Sequence, residues 1–397
     1  MKSTAYNIWL NLATLPGLGT SRLAKLSSVF RHDQVDEKQL DIILSRFPGE
    51  LRRQVASLIF QRDFVSSSEE TDQALQWAEK PDNHILALIQ PEYPALLKLL
   101  DNPPPLLYLK GQVDMLYRPQ LAMVGSRSPS PQGLETARQF ARSLGAGGFT
   151  ITSGLAAGID GAAHLGAIDT LGSTIAVMGS GIDVVYPAKH RHLAERIVEN
   201  GLLVSELSPT MPPMAQNFPR RNRVISGLSL GTIVVEASMR SGSLITARTA
   251  LEQHREVFAI PGSIHNPQAR GCHHLIKQGA KLVESTDDIF EELPALMSFY
   301  QQQQISMTNN NLPTSMGTAA SGTTPSFPGL DPKPSILQSE KGNQKDPVLE
   351  AVGYDLTHTD QIVDRTGLEV ADVQSRLMLL ELEGVIRSDR GGFVRVG

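Results

Sequence analysis

Six short apolar segments constrain this chain most: "LAMVG" (121–125), "FTITSG" (149–154), "STIAVMG" (173–179), "GLLVSE" (201–206), "GTIVVEA" (231–237) and "EVFAIPG" (256–262). Each is too short for a helix and is apolar at consecutive rather than alternating positions. Helical patterns separate most of them. A strand that is apolar on both faces must be covered on both faces, and strands that alternate with helices run parallel. The block from 119 to 294 therefore predicts an α/β fold, a mostly parallel sheet with helices on both sides.

The ends of these segments carry small or polar residues: Gly125-Ser126-Arg127, Ser153-Gly154, Gly179-Ser180-Gly181, Ser205-Glu206, Glu236-Ala237 and Pro261-Gly262-Ser263. Ligands of open parallel sheets bind outside the carboxyl ends of the strands, where strand order reverses. Small residues also make tight turns. Several of them on one edge, two beside helix starts, point to an anion site.

One segment sharpens that reading. In "NFPRRNRVISGLS" (217–229), Asn217 and Pro219 suit a helix start, and Val224, Ile225 and Leu228 form one apolar face at helical spacing. Arg221 falls in line with that face, Arg223 on the far side, and Arg220 beside it. A guanidinium in line with a buried stripe requires an anion or a polar cavity. An internal bridge to Glu206 or Glu236 is the plainer account. Phe218 is either a hydrophobic staple or a flat face on which a base stacks. Gly242 and Ser243 open a further helix whose backbone N–H groups suit a phosphate. Lys189 and Arg191 follow the Gly179 turn.

Charge is informative only locally. The chain of 397 residues has net charge −5, 41% hydrophobic and 19% charged residues, and a single cysteine, Cys272. Between 119 and 283 there are 15 Lys and Arg against 10 Asp and Glu, and the acidic residues up to 292 cancel that excess. No disulfide can form within the chain, no apolar run is long enough to span a membrane, and no secretion signal is visible, so a cytoplasmic location is expected. Adjacent His273 and His274 point to different sides of a helix, and no metal is expected. Dinucleotide binding is not expected either, because the first strand is not followed by G-x-G-x-x-G. No cofactor is expected.

The flanks differ from the block. Residues 1–80 read as a small domain of short helices, with "LPGLGTSRLAKLSSVF" (15–30) similar to a helix-hairpin-helix turn. Strand-like runs follow at 84–110. Residues 296–345 hold "QQQQ", "NNN" and many Ser, Thr, Gly and Pro, the composition of a flexible linker. Residues 346–397 read as helix, Gly turn, long helix and two-stranded wing, the winged variant of a helix-turn-helix. Glu369, Asp372, Glu381 and Glu383 near its long helix disfavour insertion into a DNA groove.

Taken together, "VGSR" (124–127), "SGLAAGID" (153–160), "GSGIDVVYP" (179–187), "NFPRRNRVISGLS", "SGSLITA" (241–247) and "GCHHLIKQGAKLV" (271–283) resemble the DNA-processing protein A (DprA/Smf) family. The resemblance implies an extended Rossmann-like domain over 81–295. It further implies single-stranded DNA binding during natural transformation, loading of the RecA recombinase, and a homodimer without enzymatic activity. By motif, Gly125, Ser126, Arg127, Lys189, Phe218, Arg221, Asn222, Arg223, Gly242 and Ser243 would face the DNA. The rival is a nucleotide-processing enzyme similar to the phosphoribohydrolases and lysine-decarboxylase-like proteins. Those carry a glutamate where this chain has Thr246, which cannot act as a general base near neutral pH. Glu206 and Glu236 are the available substitutes.

Overall fold

The computed structural model of the chain describes residues 4–31, 34–60, 68–292, 298, 346–389 and 391–396. The expected linker, 296–345, lies outside the described residues apart from Ser298.

The amino-terminal region forms helices α1 (Thr4–Thr14), α2 (Thr20–Ser27), α3 (Glu37–Leu44), α4 (Gly49–Phe60) and α5 (Glu69–Ala78), with a short hairpin of β1 (Phe30–Arg31) and β2 (Gln34–Val35). Asp36 and Ser68 cap α3 and α5 by accepting backbone N–H groups. The Gly turn before α2 is present, and Leu23 and Leu26 are buried beneath it.

The central sheet contains β3 (Asn83–Ala87), β4 (Leu106–Gly111), β5 (Gln120–Val124), β6 (Thr150–Ser153), β7 (Thr174–Val177), β8 (Leu202–Ser205), β9 (Gly231–Val234), β10 (Glu256–Ala259) and β11 (Lys281–Leu282). Their spatial order is β11-β10-β9-β5-β6-β7-β8-β4-β3. Strands β5 to β11 run parallel, and β4 and β3 extend the β8 edge antiparallel. Order reverses on either side of β5, so the switch point lies between β5 and β9.

Connecting helices are α6 (Ala95–Lys98), α7 (Pro131–Ala146), α8 (Ile159–Ala167), α9 (Arg191–Asn200), α10 (Asn217–Leu228), α11 (Gly242–Glu252), α12 (Arg270–Lys277) and α13 (Asp287–Phe290). Strand alternation divides the core between two faces. Leu121, Met123, Ile151, Ile233 and Phe258 pack with α7, α8 and α13. Ala122, Val124, Ala176 and Val204 pack with α9 to α12, and this second core continues into Trp9, Leu10 and Leu23 of the helical region. Cys272 is buried on α12, its Sγ donating to the carbonyls of Val234 and Val235, and burial pushes its thiol up to about 12.

At the carboxyl end, α14 (Pro347–Ala351), α15 (Thr359–Thr366) and α16 (Val370–Leu382) enclose a separate small core with β12 (Thr357–His358), β13 (Ile386–Asp389) and β14 (Gly392–Arg395). Gly367, at φ 65°, makes the left-handed turn between α15 and α16 that a winged helix requires. Residues 346–397 hold ten Asp and Glu against five Arg, a net charge of −5. This equals the net charge of the whole chain, so the remainder is balanced.

Candidate nucleic-acid interface

Helix α10 lies across the carboxyl ends of β6 and β7, and its amino-terminal turn builds the site. Val224, Ile225 and Leu228 are buried as their spacing predicts, and Arg221 lies with them at 4% exposure. The Arg221 Nη1 donates to the carbonyl of Gly154 at 2.6 Å and to that of Val177. A side chain at position 154 would collide with this guanidinium. Burial lowers Arg221 to about 10, and nearby Asp160 opposes that shift. Asp160 accepts the Gly154 N–H at 3.1 Å. Its own burial raises its pKa, and Arg221 is the first influence pulling it back.

The same loop is held from a second side. The His164 Nε2 accepts the Leu155 N–H at 3.2 Å, and its Nδ1 lies 2.7 Å from Thr174 Oγ1, whose hydroxyl donates to Ile151. Thr174 has therefore spent its proton, and His164 must be the neutral Nδ1–H tautomer. Burial lowers it to about 3, and His190 and Arg221 nearby push the same way.

Phe218 is half-buried at the mouth of this crevice. Its ring rests on Gly179, where an added Cβ would come within 2.6 Å of the ring. The Tyr186 ring lies 5.4 Å away, tilted by 51°, and Tyr186 is 49% exposed. The Arg127 guanidinium sits 5.7 Å from the Phe218 centroid, a cation–π distance. Arg127, Lys189 and Arg220 are exposed around the mouth, and Asn222 is half-buried. Gly125 and Ser126 shape the turn that carries Arg127. Any Cβ at 125 would strike Ile159, and Ser126 is buried, accepting the Ser128 N–H on Oγ and the Ile159 N–H on its carbonyl. Tyr186 is the mouth residue that the sequence reading missed. Its signal was an aromatic directly before Pro187 in the turn after β7.

Three expectations change on this geometry. Asn217 lies inside α10 rather than capping it; Gln216 holds the N-cap position without a side-chain cap bond, and the Asn217 Nδ2 points to the Met211 sulfur at 3.9 Å. Helical phase sent Arg223 away from the apolar face and offered Glu206 to Arg221. Instead Arg223 is the arginine that bridges Glu206, and Arg221 takes strand-end carbonyls. Both guanidiniums, expected to hold or orient phosphates, thus lie on protein acceptors.

The switch point is also not an open crevice. Glu236, following β9, accepts the Ser130 N–H at 2.8 Å, the Ser130 hydroxyl at 2.6 Å and the Asn266 amide at 2.9 Å. Its carboxylate sits at the amino terminus of α7, where helix dipoles favour an anion, and Gly133 leaves it room. The protein's own carboxylate thus fills the position a bound phosphate would take, and the accessible mouth lies over β5 to β7 instead. Gly242 and Ser243 begin α11 behind the capping Ser241; Gly242 is exposed and Ser243 buried, its Oγ 2.6 Å from that of Ser241. Among the described residues, no group of three or more His, Cys, Asp or Glu is arranged to hold a metal, and no helix is long and apolar enough to cross a membrane.

A family model described as DNA recombination-mediator protein A matches residues 84–294, and one described as a DprA winged helix domain matches residues 332–392. The chain is 38% identical to Protein Smf of Escherichia coli (strain K12), over 98% of this chain and 95% of that protein. The chain belongs to the DNA recombination-mediator protein A family. DNA processing protein DprA of Streptococcus pneumoniae (strain ATCC BAA-255 / R6) is 48% identical over 50% of this chain and 71% of that relative. The X-ray structure of DNA processing protein A from Streptococcus pneumoniae matches with a TM-score of 0.61 at 36% identity, covering 74% of this chain and 98% of that chain. Family membership therefore rests on nearly the whole chain, winged helix included.

Proposed function

We propose that this recombination-mediator family member binds single-stranded DNA at the mouth over β5 to β7, without reading its sequence. The observation that carries this reading is Phe218: a half-exposed ring seated on Gly179, beside Tyr186, with the Arg127 guanidinium 5.7 Å from its centre. An aromatic face next to a free cation suits one base and its phosphate, and stacking is tolerant of sequence because every base has a π-face. Arg127, Lys189 and Phe218 contact the strand, with Asn222 and the Gly242-Ser243 turn flanking it. Gly125 and Ser126 position Arg127. Arg221 and Arg223 act indirectly, by fixing the strand ends and Glu206.

The same reading takes the protein to be a mediator and not an enzyme. Glu236 is held by three hydrogen bonds, Glu206 is paired with Arg223, and Thr246 is buried on α11, so neither glutamate offered as a substitute base is left unpaired. The chain would act in the cytoplasm as a homodimer, protecting incoming strands in natural transformation and delivering them to RecA; the family description as a recombination mediator supports that role.

Fluorescence anisotropy with labelled oligothymidine and the corresponding duplex tests the proposal. Preference for the single strand is expected. Equal affinity for both, or none for either, refutes it. A RecA filament-assembly assay on coated single strands, with and without the protein, tests delivery.

A further inference from the structure

The segment between β7 and α9 carries Gly179 beneath Phe218, Tyr186 beside it, and Lys189. Within the segment Ser180 Oγ donates to Val184, Val184 N–H to Gly181 and His190 N–H to Pro187; outward ties run from Gly181 N–H to Met211, Asp183 N–H to Pro209, the Ser205 hydroxyl to the Ser180 carbonyl, and His190 Nδ1 to the Leu155 carbonyl at 2.9 Å. The two most remote contacts in sequence both fall on Asp183. The Trp77 Nε1 of α5 donates to Asp183 Oδ2 at 2.9 Å, and the Lys110 Nζ of β4 approaches Asp183 Oδ1 at 3.3 Å.

Trp77 is itself fixed. It is 5% exposed, packs edge-on against Tyr108 at 5.6 Å, and its carbonyl accepts the Asn83 amide. A buried indole donating to a carboxylate makes a charge-assisted bond. It links the helical region to the loop that carries the aromatic mouth, three residues before Tyr186.

We propose that Asp183 is a positioning residue of the nucleic-acid mouth, held in place by Trp77, and that the amino-terminal helical region thereby sets the geometry of Tyr186 and Lys189. The proposal rests on the reading of the mouth as a single-strand site. Asp183 touches no strand in this scheme; it acts through the loop. Its sign is unusual for a carboxylate near a polyanion. By electrostatics alone, removing it would tighten binding. By positioning, removing it loosens binding.

The test uses the full chain with Asp183→Ala and Asp183→Asn. Asp183 is an exposed residue whose side chain is 31% exposed, so neither change disturbs the core, and Asn keeps an acceptor for Trp77 while losing the charge. Two measurements are made: hydrogen exchange of residues 180–190 without DNA, and anisotropy with oligothymidine at several salt concentrations. Asp183→Ala is expected to speed exchange in that segment and to weaken binding about three- to tenfold at every salt concentration. Asp183→Asn is expected to match the unaltered chain in exchange and to bind at least as well. Tighter binding by Asp183→Ala with unchanged exchange overturns the proposal, as does equal weakening by both variants. If the unaltered chain binds no oligothymidine, the functional reading falls, and exchange alone decides whether Trp77 and Asp183 hold the loop.

Discussion

Replacing Arg221 by methionine separates a buried support from a phosphate ligand. The change removes the donor to the Gly154 and Val177 carbonyls and the cation nearest Asp160 in its electrostatic effect. Each buried carbonyl left unpaired costs about 1–3 kcal/mol. Against that, burial, partly opposed by Asp160, holds the guanidinium from 12.5 down to about 10, a net cost of roughly 3 kcal/mol for keeping it charged that methionine avoids. Asp160 then stands in apolar surroundings without its counter-charge, which adds a further cost. The two carbonyls, about 2–6 kcal/mol together, less roughly 3 for the guanidinium give a change between about −1 and 3 kcal/mol, which the uncompensated Asp160 tips to a net loss at pH 7. Acid should narrow the gap. Asp160 already binds its proton above the ordinary value of 3.8 in the folded state, and losing Arg221 raises it further. A protonated Asp160 needs no cation, so the deficit shrinks as pH falls from 7 toward 3.8. Urea unfolding at pH 7 and pH 4.5 measures this. Unchanged stability together with a large loss of single-strand affinity would refute the reasoning and return Arg221 to the binding surface.

The remaining expectations concern binding and acid stability. Phe218→Ala should weaken binding to oligothymidine, oligocytidine and oligoadenine alike by ~1–3 kcal/mol, with little change in the urea midpoint; a loss confined to one base would mean direct readout. Arg127→Ala should weaken binding and reduce the salt slope by about 0.7, and an unchanged slope would show that Arg127 serves only the Phe218 ring. His164 is depressed from 6.5 to about 3, so the unfolded chain takes up a proton that the folded chain refuses. Its contribution is complete above about pH 6.5 and is lost at up to ~1.4 kcal/mol per pH unit as pH falls toward 3. His164→Leu should flatten that part of the stability–pH curve, and an unaltered curve would mean that another group sets the acid limit.

How far the sequence discloses this site depends on the range of each interaction. Helical phase placed Arg221 among Val224, Ile225 and Leu228, because a 3.6-residue period is a local property. It could not supply the partners, since Gly154 and Val177 lie 67 and 44 residues away and meet Arg221 only through sheet order. The same limit misassigned Glu206, which pairs with Arg223 across the β8 edge. Strands β5 to β10 were readable as consecutive apolar runs, whereas β11 has only two residues, one of them Lys281, and left no such run. The switch-point rule pointed to the carboxyl edge of the sheet, where the candidate mouth lies, but not to the open position on it, because Glu236 occupies the amino terminus of α7. Tyr186 and Asp183 went unnoticed for a related reason: their significance lies in Phe218 and Trp77, remote in sequence.

The setting of Cys272 has a practical consequence. With its thiol near 12 and both carbonyl contacts inside the sheet, almost no thiolate exists at neutral pH, and thiolate is the form that reacts with alkylating dyes. As the sole cysteine in the sequence, it leaves the native chain a chemically silent background. A cysteine placed on an exposed turn near Lys189, or on the wing of the acidic domain, would take up label selectively. Distances between those two parts could then be followed as a strand arrives, without first deleting a native residue.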